Sequence, residues 1–309
     1  MGLSPFPNGV SSMGSPITGG TYITTGNVYF VNSVIGSNDN NGLDPDHPVA
    51  TIGKGISLCT SGQGDTVFVM PKHAETISSS TATVRVSGVN IIGLGEGTDR
   101  PTVTLATTAS AKFGTSGAHS TYIENLLFKV TIDACVAPVY VESSEVWIFN
   151  CEVQGTSAAE GIDMIHFTSD ADYCVVDGLK YVRPTSLGGT EPKTVINFET
   201  TAGGSIYGPE VRNCYLVGES SEGLVAFTSN IAKGWVHHNM LHNVGTNACI
   251  FDTSSLLATV YSDNIMLGCS SDSGYWINGS SGEMWSLGNL GAHYGSVGAN
   301  VVGVGLSST

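Results

Sequence analysis

The chain has 309 residues, of which 41% are hydrophobic and only 12% are charged, and 40 are glycine. Its net charge of −15 repels phosphate backbones and anionic lipid surfaces, so nucleic-acid binding and membrane binding are not expected. No apolar run approaches the roughly 18 residues of a transmembrane helix, and the N-terminus lacks the basic and apolar regions of a secretion signal.

The first predicted segment, residues 1–26, is rich in Gly, Pro, Ser and Thr and has no charged side chain. A disordered leader is the alternative, but such leaders are usually polar and charged. We therefore predict an extended docking arm that buries its scattered apolar residues against another protein: Leu3, Phe6, Pro7, Val10, Met13 and Ile17.

Residues 27–77 are predicted to form an N-terminal cap. Val28–Val31 and Asp65–Met70 have strand composition, and Pro48–Cys59 places Ile52, Ile56 and Cys59 on one helical stripe. The first layer of a repetitive β-structure exposes unpaired backbone and apolar interior. A short amphipathic helix at this place is expected to cover it.

Residues 78–295 contain a repeat with a period near 25, and a Gly-rich tail, residues 296–309, follows. Short apolar-x-apolar strands such as Val139–Val141 and Ile196–Phe198 alternate with turn residues. This pattern predicts an all-β single-stranded parallel β-helix with about three strands per coil. The tail either caps the last coil or pairs with a neighbouring subunit.

One polar residue recurs near each repeat boundary, and we predict a ladder in which each side chain bonds the coil above and below. Ordinary turns, which favour Asn, are the alternative. The ladder residues are Asn125, Asn150, Asp177, Asn213, Asn239, Asn264 and Asn289.

The seven cysteines include no CxxC pair. Cys151 and Cys214 directly follow repeat Asn residues, but two coils, or about 10 Å, separate them. This exceeds the span of a disulfide, about 7 Å between Cα atoms, so both are predicted to be small buried hydrophobes.

Several motifs resemble a known family. Tyr29–Val31, Gly36–Asp39, Pro48–Ile52 and Gly64–Val67 resemble the N-terminal cap of right-handed parallel β-helix proteins of the pectate-lyase-like superfamily, and Val89–Gly95 resembles their first full coil. Within that superfamily, Pro71–Ile77 and Asp99–Thr102 resemble β-helix virion proteins of tailed bacteriophages. Ser4–Ser12 is similar to N-terminal segments of phage head-associated proteins.

The resemblance implies a non-enzymatic virion protein that decorates or stabilises the outer surface of the phage head after assembly in the host cytoplasm. It implies a homotrimer, and a partner such as the major capsid protein or another head or neck protein. The alternatives are a tailspike-like polysaccharide depolymerase and a carbohydrate-binding fibre that recognises host surface glycans. No cofactor is expected.

The sequence predicts no catalytic set. Pectate lyases pair a Ca²⁺-binding acidic cluster with a basic residue, but no arginine here (Arg85, Arg100, Arg183 or Arg212) lies in an evident acidic cluster. A glycoside hydrolase needs two carboxylates, and Asp163, Asp170, Asp172 and Glu199 could form an acidic groove. Solvated turn carboxylates are the favoured interpretation of these four.

No metal site is predicted either. His237 and His238 are adjacent in a strand and should face opposite sides, His242 adds no evident site, and His166 has no matching partner. His73 and Glu75 are interpreted as structural. Four aromatic residues could stack on sugars, but core or subunit-interface positions are favoured for them: Tyr275, Trp276, Trp285 and Tyr294.

Overall fold

A computed structural model describes residues 11–12, 15–16, 26–79, 82–156, 159–183, 191–201, 204–245, 247–254, 259–268, 277–279, 284–292 and 302–303. The chain winds into a solenoid of about eight coils with about 26 residues per turn, and each complete coil adds one strand to each of three parallel sheets. The predicted all-β parallel β-helix is confirmed. None of the described helices has the length and apolar character needed to span a membrane.

The three long sheets run side by side along the solenoid. The first sheet contains, in spatial order, Val28–Val31, Thr66–Val69, Asn90–Gly93, Thr121–Glu124, Val146–Phe149, Val175–Asp177, Glu210–Arg212, Trp235–His237, Thr259–Ser262 and Met284–Leu287. The second sheet contains Ala74–Ile77, Thr102–Leu105, Leu127–Val130, Glu152–Gln154, Lys180–Val182, Tyr215–Gly218, Met240–Asn243, Ile265–Gly268 and Leu290–Ala292, with Val302–Gly303 antiparallel at its end. The third sheet contains Ala82–Val84, Phe113–Ser116, Val139–Glu142, Asp163–Phe167, Thr194–Glu199, Gly223–Thr228, Ala248–Asp252 and Ile277–Gly279.

Two smaller pairings and two helices complete the described structure. Ile206–Tyr207 pairs with Ile231–Ala232 in parallel, and Ser11–Ser12 pairs with Ser15–Pro16 in antiparallel orientation. The helices are Ile52–Leu58 and a 3-10 turn, Gly97–Asp99.

The core consists of side chains that stack in register inside the solenoid. Along the first sheet the inward row is Ile123, Ile148, Val176, Val211 and Val236, each at most 1% exposed. Each such side chain contributes roughly 1.5–3 kcal/mol relative to leaving it exposed. The strands are held by burial of this row together with their parallel ladders.

The predicted capping helix, Pro48–Cys59, is only Ile52–Leu58. Its N-cap is Thr51, whose hydroxyl accepts from the Lys54 amide at 3.2 Å, and Val49, two residues earlier, forms an extended bridge with Val31. Ile52 and Ile56 are the large apolar residues on the buried side of this helix. At seven residues it does not form a clear cap over the first coil, and this part of the prediction is corrected.

The seven predicted ladder residues occupy three different register positions. Asn125, Asn150 and Asn213 adopt left-handed backbone at the turn that ends each first-sheet strand, and Asp177 is the last residue of such a strand. The other three, Asn239, Asn264 and Asn289, lie one residue after the turn and are buried. A single continuous ladder is therefore not formed.

Two sets of predicted ladder residues are joined between coils: Asn213 Nδ2 donates to Asp177 Oδ1 at 2.9 Å, and amide-to-amide bonds join the last three residues. Asn239 Nδ2 donates to Asn264 Oδ1 at 2.9 Å, and Asn264 Nδ2 donates to Asn289 Oδ1 at 2.9 Å. In the preceding coils the equivalent buried position is apolar, with Leu126, Cys151, Leu179 and Cys214. Turn Asn and ladder Asn differ by one residue along the chain, and this offset is easily missed against a 25-residue period.

The described cysteines are all buried and free, as predicted for Cys151 and Cys214. Burial raises the pKa of each of these two thiols to about 12, so both stay protonated at neutral pH.

Candidate functional site

The outward face of the first sheet carries two rows of side chains. Because alternate residues of a strand point outward, strand register aligns one row as Tyr122, Trp147, Val175, Glu210, Trp235, Val260 and Trp285. The second row is Glu124, Phe149, Asp177, Arg212, His237, Ser262 and Leu287. We call these two rows the aromatic face.

Trp235 is held at the centre of the aromatic face. Its ring stacks on His237 with the ring centres 3.9 Å apart, and its Nε1 donates to Ser262 Oγ at 3.1 Å. The side chain is nevertheless 43% exposed, as is that of Trp147. An aromatic surface fixed in this way can bind a ligand without ordering a flexible side chain first.

Charged side chains lie in the strands between Trp147 and Trp235. Arg212 donates to Asp177 Oδ2 and to Glu210 Oε1, both at 2.7 Å, and its guanidinium lies 6.0 Å from the Trp147 ring centre. Partial burial lowers the pKa of Arg212, but hydrogen bonds to the two carboxylates outweigh this effect and leave the pKa above its ordinary value. Although no acidic cluster around Arg212 is evident in the sequence, the fold places this arginine between two carboxylates.

The prediction that His237 and His238 face opposite sides is wrong. His237 ends its strand, and His238 adopts left-handed backbone with φ +55°, so strand alternation stops between them. Their Nδ1 atoms lie 2.7 Å apart, and His237 Nε2 lies 2.9 Å from Glu210 Oε1. His237 therefore lies within hydrogen-bond distance of both His238 and Glu210.

A cavity of about 440 Å³ opens at one end of the aromatic face. Its walls include Tyr122, Trp147 and Tyr173, with Ser120 and Glu145, which are hydrogen-bonded to each other, at the rim. Tyr173 is 60% exposed. An aromatic floor with a few polar rim groups is the usual composition of a small-molecule site.

A second polar cluster lies on the third sheet. Asp163, His166 and Glu199 each present a ligand-type atom within 4.8 Å of the other two. His166 Nδ1 is 2.8 Å from Asp163 Oδ2, and the His166 ring stacks on Tyr140 with the ring centres 4.9 Å apart. Burial, followed by the charges of Glu142, Glu199 and Asp163, raises the pKa of Tyr140. His166 therefore has a partner that was not expected from the sequence.

This meeting depends on a break in strand alternation. Met164 and Ile165 are both buried in the core, as are Val195 and Ile196 in the next coil. Because two consecutive residues face the core, the Asp163 side chain points to the outer side of the sheet, where it contacts His166. Consecutive apolar pairs at the start of these third-sheet strands were the available sequence signal.

The remaining predicted acidic residues do not join this cluster. Asp170 and Asp172 line a separate polar groove of about 510 Å³ with His119, and Asp172 Oδ1 accepts from the Tyr207 amide at 2.7 Å. Among the described residues, Asp163 and Glu199 thus form one acidic pair and Asp170 and Asp172 lie in another, so the four do not form a single acidic groove.

His73 and Glu75 are paired near the N-terminal helix. His73 Nδ1 accepts from the Ser33 amide at 3.0 Å, while Glu75 Oε2 lies 3.2 Å from His73 Nε2 and accepts from the Ile52 amide at 2.8 Å. The pair thus ties the start of the helix to the second sheet. Tyr275, Trp276, Tyr294 and the arm residues Leu3, Phe6, Pro7, Val10, Met13 and Ile17 lie outside the described residues, whereas Trp285 belongs to the aromatic face.

Sequence reasoning missed Trp147 and Trp235. Tyr122, Trp147, Trp235 and Trp285 each stand three residues before the turn position of their coil, which is Asn125, Asn150, His238 or Gly288. An aromatic residue recurring at one phase of the repeat was the signal that could have identified this surface.

No protein-family model and no curated protein sequence matches the chain. Among solved structures, it is similar to a rhamnogalacturonan lyase with a TM-score of 0.51 and 10% identity, over 78% of this chain and 74% of that chain. It is also similar to ORF18 of Geobacillus virus E2, with a TM-score of 0.41 and 10% identity over 78% and 57% of the two chains. A pectin methylesterase from Aspergillus niger gives a TM-score of 0.43 and 12% identity over 88% and 91%.

Only the first of these likenesses bears on this chain, and at 10% identity it establishes the fold alone. The chain is a right-handed parallel β-helix.

Proposed function

We propose that this chain is a structural protein of a tailed-bacteriophage virion that binds host surface polysaccharide along the aromatic face. The observation that carries the proposal is the half-exposed Trp147 and Trp235, which lie in one row and flank a charged network. A large patch of exposed aromatic side chains on a protein surface marks an interaction site.

The chemistry of the aromatic face suits a sugar chain. The apolar C–H side of a pyranose ring packs on an aromatic ring, and its hydroxyls need both donors and acceptors. Arg212 and Glu210 supply these groups between Trp147 and Trp235, and Ser262 lies one strand beyond Trp235. Trp147 and Trp235 are three strand steps apart, or about 14 Å, so one extended chain along the solenoid axis can contact both.

The virion assignment is supported by the phage-like motifs Pro71–Ile77, Asp99–Thr102 and Ser4–Ser12. We place the protein on the head, with residues 1–26 docked on the major capsid protein or a neighbouring head or neck protein. The β-helix then projects its aromatic face outward, as a homotrimer.

Polysaccharide binding is tested by calorimetric titration of purified host surface polysaccharide. Trp235→Ala should weaken binding at least about tenfold, since loss of an aromatic anchor costs upwards of about 1.4 kcal/mol. Tyr215→Ala is the matched control, because Tyr215 is 44% exposed on a different sheet. Equal binding by the wild type and both variants would remove the aromatic face from the proposal.

Virion attachment is tested separately by co-sedimentation with phage heads that lack the protein. The full chain should pellet with the heads, whereas a chain that starts at Asn27 should remain in the supernatant. If both pellet equally, residues 1–26 are not the anchor, and if neither pellets, the head placement is wrong.

A depolymerase is the runner-up, and the proximity of Asp163 and Glu199 is the observation that favours it. Retaining glycosidases hold two carboxyl groups about 5–5.5 Å apart. However, the Asp163 side chain is only 5% exposed, and both its oxygens already accept hydrogen bonds. Release of oligosaccharide by the wild type, with loss of release in Glu199→Gln, would favour the enzyme over the binding protein.

A further inference from the structure

We propose that Asp163, His166 and Glu199 form a binding site for one divalent transition-metal cation of the Zn²⁺ class. The site lies on the outer side of the third sheet and is independent of the aromatic face. One imidazole nitrogen and two carboxylate oxygens are an established donor combination for such ions.

The cluster contains more negative charge than its surroundings neutralise. The side chains of Asp163 and His166 are 5% and 12% exposed, and Glu199 is half-buried in the next strand. Among the described residues, neither carboxylate forms an ion pair with a lysine or arginine. Buried carboxylates are normally paired or bound to a metal, and this geometry makes the cluster a candidate for a bound cation.

Asn197 lies where the two carboxylates converge. Its Nδ2 donates to Asp163 Oδ2 at 3.0 Å and to Glu199 Oε2 at 3.2 Å, and so bridges the two carboxylates. A half-turn of the amide presents Oδ1 instead, as a further oxygen ligand. Thr228 Oγ1, which donates to Asn197 Oδ1 at 3.4 Å, can equally accept from Nδ2 after this turn.

Neighbouring side chains also fix the orientation of the Asp163 and His166 side chains. Thr194 Oγ1 donates to Asp163 Oδ1 at 2.6 Å, and stacking on Tyr140 fixes the plane of the His166 ring. Such outer contacts are typical of metal ligands. His166 Nδ1 and Asp163 Oδ2 are 2.8 Å apart, and a tetrahedral site with bonds of about 2.1 Å needs about 3.4 Å.

The test uses the full chain, stripped with a chelator and then titrated with ZnCl₂ at neutral pH. The wild type should bind one equivalent more than His166→Gln or Glu199→Gln, and its Tm should rise on Zn²⁺ addition while theirs does not. His242→Gln is the control for casual binding to histidine, because His242 lies on the second sheet. It should behave as the wild type does.

Equal stoichiometry and equal Tm shifts in the wild type, His166→Gln and Glu199→Gln would overturn the proposal. A Tm rise with CaCl₂ but none with ZnCl₂ would also overturn it. Because Glu199 is only half-buried, Glu199→Gln remains an informative variant even if replacement of His166 impairs folding.

Discussion

The two halves of the solenoid close the same turn with opposite chemistry. In the coils from Leu126 to Cys214, the residue after the left-handed turn is buried and apolar: Leu126, Cys151, Leu179 and Cys214. In the later coils the same position holds Asn239, Asn264 and Asn289, whose amides bond one another. One backbone path thus accepts either an apolar stack or an amide ladder.

The difference continues across the interior. Phe167, Phe198 and Phe227 contact one another in successive third-sheet strands, the first two stacked and the last two edge to face, but the next residue in that row is Asp252. Asp252 accepts hydrogen bonds from the Tyr261 hydroxyl and from Thr259 Oγ1. The first half therefore depends mainly on burial and the second half also on satisfied polar groups, so single substitutions should affect them differently.

The largest pH effect is expected from a buried charge in the first half. Burial raises the pKa of Glu160 to about 7, although Arg183 at 3.2 Å opposes the shift. The folded protein therefore retains this proton while the unfolded chain loses it near pH 4.5, and stability falls as pH rises from about 4.5 to 7. When the pH is raised from 5 to 8, the free energy of unfolding measured in urea should fall by about 2–3 kcal/mol less for Glu160→Gln than for the wild type. Parallel pH profiles would contradict this.

In the second half, Asn264→Ala should destabilise the protein by about 2 kcal/mol. Asn264 is fully buried, and its removal leaves the Asn239 amide N–H and the Val236 carbonyl without their bonds. Asn150→Gly is the control, because Asn150 is exposed and left-handed with φ +49°, where glycine fits. Equal urea midpoints for the two variants would mean that the ladder adds no stability.

A smaller contrast is expected from two interior tyrosines. Tyr261→Phe should cost about 1.5 kcal/mol, because its hydroxyl donates to buried Asp252. Tyr181→Phe should be neutral or stabilising, because the buried Tyr181 hydroxyl has no hydrogen-bond partner among the described residues. Thermal unfolding of both variants checks the pair, and the opposite order of Tm values would refute the assigned difference between the halves.

The repeat itself could be predicted because strand alternation and a 25-residue period survive in the sequence. The ladder could not be placed, because Asn suits both the left-handed turn, as at Asn213, and the buried position after it, as at Asn239. Likewise, the contacts of His166 with Asp163 and of His237 with His238 depend on local breaks in alternation. Such breaks follow from three-dimensional packing and not from periodicity.

Both halves contribute to the aromatic face, with Trp147 in the first and Trp235 in the second. The most direct test of the account is therefore the affinity of defined host-polysaccharide fragments of increasing length for the wild type, Trp147→Ala and Trp235→Ala. The wild-type affinity should rise until a fragment spans the separation of the two rings, about 14 Å, and each variant should lose only the gain from longer fragments. Affinity that is independent of fragment length, or unchanged in both variants, would contradict polysaccharide binding along the first sheet.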